Sequence, residues 1–359
     1  MSTAAVSNAI ADSGIDSRRP YPPSIIDRAI NWVRGLPIPA WLFYFVVALA
    51  VILLHASIKW MDGSFPVGVF SWRLILGDIS FIYAVGVLHY LDDSAREALN
   101  DFRPVMQIDD AEFNTLRYRF TTLPARPTLI VACLGALYGV SSWLSLSPVQ
   151  RENGKFFSSP PATVLEGLVF MLTYVGAAIV IYHSVRQLRM VSLIYATHTQ
   201  VDLFNLAPIY ALSSVTARTA IAVLLITYAW YFINVTSEPG FTNQFDIFIL
   251  SAISVVMFVA PLGGMHRLLV RAKIRAQTAA QQEFKATVAE LHRRRDAGQF
   301  AEMGGINDAL DGLLKEQSAL DKISTWPWKT ETLRGVATAV LLPILLWAVT
   351  RLLERFWTF

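Results

Sequence analysis

Four ionisable side chains stand inside stretches of sequence that are otherwise apolar: Arg73, Asp78, Glu166 and Arg218. A charge in hydrocarbon is costly, so such residues face protein or water and pair with one another or line a polar path. Counting from the ends of their segments at about 1.5 Å per residue puts Arg73 and Glu166 at similar depth, and Asp78 and Arg218 within about 5 Å. The spacing predicts two pairs, Arg73–Glu166 and Asp78–Arg218. They would serve as structural ion pairs in a helix bundle, or as the lining of a ligand cavity or polar pathway.

A second constellation is acidic. His89, Asp93, Glu97 and Asp101 recur at every fourth residue, and with Asp92 they make one charged helical face where an apolar segment ends. Membrane prenyltransferases and CDP-alcohol phosphotransferases bind metal–diphosphate with acidic residues at such a place. The first chemistry needs a second carboxylate cluster, whereas the matching end of another segment is basic, with His266, Arg267 and Arg271. Asp92-Asp93-Ser94-Ala95-Arg96 falls one residue short of the opening motif of the second. A solvated helix face is the simpler reading. His183 and His198 lack the spacing of helix-borne metal ligands. No Gly-rich phosphate loop, nucleophile elbow or zincin motif is present. The sequence therefore names no catalytic residue, no metal and no cofactor.

The elements that must position these residues are membrane helices. The chain is 54% hydrophobic and 16% charged, with mean hydropathy +0.44, against about 25% charged residues in soluble domains. The apolar excess falls into seven stretches near the length needed to span a bilayer as helix: Ala40–Trp60, Val67–Leu91, Thr128–Leu146, Ala162–Tyr182, Ile209–Val235, Phe245–Leu262 and Gly335–Phe356. Lipid offers backbone groups no partner, so helix is the state expected of each. Trp41, Trp60, Trp143, Trp230 and Trp357 lie near segment ends, where aromatic anchors belong. Of the 30 Lys and Arg, 22 fall in residues 1–39, 92–127, 183–208 and 263–330, on one side of the implied membrane. The positive-inside rule predicts a cytoplasmic N-terminus and a C-terminus outside. The net charge of +3 is too small and too dispersed to imply nucleic acid. Cys133 is the only cysteine, so no disulfide within the chain is possible.

Residues 263–330 carry two helical patterns. Phe284, Val288 and Leu291 mark the first; Ile306, Leu310, Leu313, Leu314 and Leu320 mark the second. Arg293-Arg294-Arg295-Asp296-Ala297-Gly298 breaks them apart. The expected form is a cytoplasmic helical hairpin whose thin apolar stripes pack on each other, on neighbouring helix ends or on another subunit. It leads into Trp326-Pro327-Trp328, where Pro327 stops the incoming helix and Trp326 and Trp328 suit an interfacial anchor. In the last segment Pro343 removes a backbone donor and frees the carbonyl of Ala339. With Gly335 it marks a candidate kink or gate.

Two stretches carry a resemblance. One runs Asp202-Leu203-Phe204-Asn205-Leu206-Ala207-Pro208-Ile209-Tyr210-Ala211-Leu212-Ser213, then Thr216-Ala217-Arg218-Thr219-Ala220. The other is Thr325-Trp326-Pro327-Trp328 leading to Leu333-Arg334-Gly335 and Leu342-Pro343. They resemble bacterial multi-pass membrane proteins to which no activity is attached. The layout of seven helices, long inner and short outer loops is also similar to the seven-helix ion channels of the insect odorant and gustatory receptor type, without the tyrosine motif of their last helix. The expectation is an all-α polytopic protein of a bacterial inner membrane. It comprises a cytoplasmic segment (1–39), a six-helix membrane region (40–262), the hairpin (263–330) and a seventh transmembrane helix (331–359). The function classes that survive are a channel-like or sensor protein, expected as a homo-oligomer, and a non-transporting scaffold that docks a cytoplasmic protein through the hairpin. A metal-dependent membrane transferase comes third.

Overall fold

The computed structural model describes residues 20–198, 202–235, 252–298 and 303–357. Residues 1–19, and 245–251 of the expected segment Phe245–Leu262, lie outside them, as do the side chains of 153–154, 227, 229–235, 342–343 and 346–357, and with them the expected anchors Trp230 and Trp357. The described residues are helical apart from short connections and a single β-bridge between Pro23 and Pro124. In chain order the helices are α1 (Ile25–Arg34), α2 (Ala40–Met61), α3 (Trp72–Phe102), α4 (Asp110–Thr121), α5 (Ala125–Leu144), α6 (Pro148–Gly154), α7 (Pro160–Thr197), α8 (Ala207–Val235), α9 (Ala252–Asp296), α10 (Met303–Lys322) and α11 (Thr330–Trp357). Six of them, α2, α3, α5, α7, α8 and α9, are long and apolar enough to cross a membrane. The chain is thus a multi-pass membrane protein in build.

Proline sets many of the helix starts. Pro39 and Pro124 occupy the N-cap positions of α2 and α5, and Pro148 and Pro160 open α6 and α7. A first-turn residue has no intrahelical use for its N–H, so proline costs nothing there. Inside α9 the opposite holds. Pro261 interrupts the ladder, and Ala260–Leu262 tightens to a 3-10 turn before the helix resumes at Gly263. Ser192 of α7 donates to the Pro261 carbonyl at 3.4 Å.

The expected segment ends shift. α3 begins at Trp72 because Pro66 and Gly68, the latter at φ +86°, hold residues 67–71 out of helix. At its other end α3 runs on to Phe102, and α7 runs on to Thr197. These extensions, with α4 and the starts of α8 and α9, enclose the main apolar core at the end of the bundle that carries most of the basic residues, hereafter the basic end. Leu99, Phe102, Phe120, Ile194, Tyr195, Leu212, Leu262 and Leu269 are its buried centre.

The N-terminal segment is clamped to this end. Ser24 and Asp27 form a capping box that starts α1. The Asp27 carboxylate also accepts from the Leu123 backbone N–H at 3.0 Å, which ties α1 to the α4–α5 junction. Burial pushes the Asp27 carboxyl up, against hydrogen bonds from Ser24 and Leu123. Arg186 of α7 donates to the Tyr21 hydroxyl at 2.5 Å and to the Thr122 carbonyl at 3.0 Å. Burial takes the Tyr21 phenol up to about 12 despite that arginine.

α5 and α7 approach unusually closely. A Cβ on Gly135 would lie 2.8 Å from the Tyr174 carbonyl oxygen, and one on Gly139 would lie 2.9 Å from the Met171 Cα. The two glycines are four residues apart on one face, the small-residue spacing that lets membrane helices touch backbone to backbone. Beyond Pro261, Lys273 of α9 donates to the carbonyls of Asp321 and Ile323 at 2.8 and 2.9 Å, and Gln277 donates to the Asp321 side chain at 2.6 Å. These bonds bring the end of α10 back beside α9.

Candidate functional site: buried acid–base pairs

Among the described residues, the charges buried in the spans have partners, though not the ones that segment counting assigns. Glu166, in the second turn of α7, bonds Lys59 of α2 with Nζ–Oε1 at 2.5 Å, and both side chains are about 1% exposed. Lys59 spends its other donors on the Lys155 carbonyl at 2.6 Å and the Ser158 hydroxyl at 3.1 Å. The second Glu166 oxygen accepts from the Phe157 N–H at 3.1 Å. Desolvation of the two charges is therefore offset by an ion pair plus a full set of hydrogen bonds, the condition a buried pair needs.

Asp78 pairs with His55, not with Arg218. Nδ1 of His55 lies 2.8 Å from Oδ1 of Asp78, with both side chains 2% exposed. A third pair lies nearer the basic end, where His183 of α7 sets Nε2 2.9 Å from Oδ1 of Asp92, again buried on both sides. Asp78 and Asp92 are fourteen residues apart on α3. At 100° and 1.5 Å per residue they share nearly one face, about 21 Å apart. So α3 presents two carboxylates along one stripe, each to a histidine of a different neighbouring helix. Among the described residues nothing bonds to the far nitrogens, Nε2 of His55 and Nδ1 of His183. A cavity of about 10 Å³ touches His55, Lys59 and Asp78, roughly the space of one water.

The other members of the two expected pairs sit elsewhere. Arg73 lies in the first turn of α3, 5.4 Å over the Trp72 ring, rather than at Glu166. Arg218 is 3.7 Å from Glu97 and 5.7 Å over the Tyr90 ring, far along α3 from Asp78. The acidic face is occupied by basic side chains. Asp93 holds Arg34 at 2.7 Å, His89 at 3.3 Å and Arg96 at 3.4 Å. Glu97 holds Arg218, while Asp101 is exposed. His89 also bonds the Tyr44 hydroxyl at 3.1 Å. Among the described residues no three His, Cys, Asp or Glu side chains are placed to hold a metal ion.

Next to the Lys59 pair, Asp62 accepts hydrogen bonds from Ser64, Ser158 and Ser159. Burial pushes its carboxyl up, but the donors, with Ser158 first, outweigh this and hold it well below the ordinary carboxylate range. A depressed folded-state value adds stability that is present above the ordinary Asp value of about 3.9 and is lost as pH falls towards the folded value. Thermal unfolding in detergent should therefore lose stability below about pH 4 more steeply in the wild type than in Asp62→Asn. Equal acid limbs in the two proteins would remove Asp62 from the account.

The tryptophans expected as an anchor are built into packing, whereas the expected gate residue Gly335 is exposed with nothing within 4 Å of its Cβ position. Trp326 and Trp328 stack on each other at 4.4 Å, Trp326 on His266 at 4.0 Å, and Trp328 on Phe258 at 5.4 Å. His266 also bonds the Thr325 carbonyl at 2.9 Å. This four-ring ladder fixes the approach of α11 to α9. The α11 backbone is helical through Gly335 and Pro343. The Ala339 carbonyl, which Pro343 leaves without an intrahelical donor, accepts from the Tyr228 hydroxyl of α8 at 3.4 Å.

No protein family, no curated protein and no solved structure matches this chain.

Proposed function

We propose that the chain is a proton-responsive membrane sensor of channel-like build. It crosses a bacterial inner membrane seven times, with α11 as the seventh span, the N-terminus in the cytoplasm, and α9–α10 as a cytoplasmic helical hairpin. The orientation rests on the concentration of Lys and Arg at the basic end. The observation that carries the sensor reading is the His55–Asp78 pair. A buried histidine in a span, with one nitrogen on a carboxylate, the other without a partner among the described residues and a water-sized cavity against the side chain, can take up or release a proton without leaving its place. The charged groups facing it are Asp78 on α3 and the Lys59–Glu166 pair one turn away. Adding a proton changes how tightly α2 is held to α3, and α3 carries the second pair, Asp92–His183, into the core of the basic end. The small size of the cavity favours a sensor over an open conduit.

The test is hydrogen exchange of the full-length protein in lipid nanodiscs across about pH 5–8, the range in which histidine changes charge. The expected result is a pH-dependent change in protection of residues 263–330 that disappears in His55→Gln and in Asp78→Asn. The same profile in all three proteins, or no pH dependence in the wild type, overturns the reading. A proton or cation current in liposomes that Asp78→Asn abolishes would replace the sensor by a channel.

A further inference from the structure

A groove of about 900 Å³ runs between α2, α3 and α8, within the range of small-molecule sites. Its long wall is apolar, with Phe45, Leu49, Ile52, Ile79 and Leu225 among its residues. Apart from the Tyr83 phenol, its ionisable groups gather at one end, where His89, Asp93 and Arg218 meet Tyr44 and Tyr90. Three features identify what fits it. First, α2 is the most exposed of the six candidate spans, and Phe45, Leu49 and Leu225 stay exposed on the wall, so the groove faces the surroundings of the bundle. Second, the stretch of α2 from Ala40 to Ile52 is about 18 Å long at 1.5 Å per residue, close to one leaflet of a hydrocarbon core of about 30 Å. Third, the charge is uneven. Asp93 is already held by Arg34, His89 and Arg96. Arg218 is 38% exposed and reaches Glu97 only at 3.7 Å. A partly exposed guanidinium at the head of a leaflet-deep apolar groove, with the exposed Trp41 at the same end, is complementary to a phosphate on a chain.

We infer that this groove binds an anionic phospholipid from the leaflet at the basic end, one acyl chain lying along α2 and the phosphate on Arg218. The head of the site lies farther along α2 and α3 towards the basic end than the His55–Asp78 contact, although Ile52 and Ile75 line both the groove and the small cavity at that pair, and the proposal stands whether or not that pair responds to protons. Lipid here would brace α8 against α2, two helices otherwise joined through α3.

The experiment is native mass spectrometry of the delipidated full-length protein, titrated with phosphatidylglycerol or phosphatidylcholine of the same chains. The expected result is retention of phosphatidylglycerol about fivefold tighter or more, the size of one cation near a phosphate. Arg218→Gln should erase the preference, and Arg218→Lys should keep most of it. Ala48→Phe, which projects into the groove, should weaken both lipids. The wild type gives a readout free of any folding defect: its preference should collapse at about 1 M salt. Equal retention of the two lipids, a preference unchanged in Arg218→Gln, or one indifferent to salt overturns the proposal.

Discussion

Lys59→Met is expected to destabilise the protein by about 3–5 kcal/mol, the cost of leaving one member of a buried ion pair alone. The variant keeps the length of the side chain and removes its charge. Glu166 then faces the bundle with only the Phe157 N–H, and the Ser158 hydroxyl and Lys155 carbonyl lose a donor. Unfolding in detergent, followed by helical circular dichroism, reads the loss. Glu166→Gln in the Lys59→Met background should restore part of it, because a neutral amide costs less to bury than a lone carboxylate. The cycle is the decisive measurement. Lys59 and Glu166 in contact should couple by more than about 0.5 kcal/mol, whereas residues without shared partners add within about 0.3–0.5 kcal/mol. A Lys59–Glu166 coupling near zero, with a large Arg73–Glu166 coupling in its place, would return the pairing to the one that segment counting predicts.

That contrast also marks where reading the sequence stops. Six spans are legible because a bilayer allows an apolar run of that length one backbone state, and the structure has six helices that meet the criterion. The membrane depth of a side chain is not legible from the same runs. Val67 opens an apolar stretch, but Pro66 and Gly68 delay the helix to Trp72, so Arg73 falls in the first turn rather than a turn and a half inside. At the other end α3 continues well past Leu91, which separates Arg218, at the level of Tyr90 and Glu97, from Asp78. Lys59 reads as an end-of-span lysine reaching for water, since nothing local says that the turn after Gly154 folds back over it. His55 and His183 escape a search for charge because histidine counts as neutral. Their visible signal is a histidine within or at the end of one apolar run and an aspartate within or at the end of another. Gly135 and Gly139 carry a signal that spacing alone supplies, small residues four apart in an apolar segment.

Those two glycines give the second large effect. Gly139→Leu is expected to cost about 3 kcal/mol or more, at the upper end of the range for overpacking. The atoms a side chain would meet are the Met171 Cα at 2.9 Å and the Phe170 carbonyl at 3.0 Å, which are backbone and cannot rotate aside. The only relief is for α7 to move off α5. Even Gly139→Ala should destabilise, although alanine favours helix over glycine by about 1 kcal/mol. Gly305→Ala on α10 is the matched control: nothing lies within 4 Å of its Cβ position, so the same change should stabilise by up to about that amount. Opposite signs for one chemical substitution isolate the helix contact from propensity, and equal signs would refute the close approach. Glu166 and His183 both ride on α7, so the displacement that relieves Gly139→Leu also pulls their partners, Lys59 and Asp92, out of hydrogen-bond range. The close α5–α7 contact thus helps hold α7 in the position where Glu166 and His183 meet α2 and α3. A folded Gly139→Ala should therefore lose the His55-dependent change in protection of residues 263–330 at a smaller cost in stability than Lys59→Met.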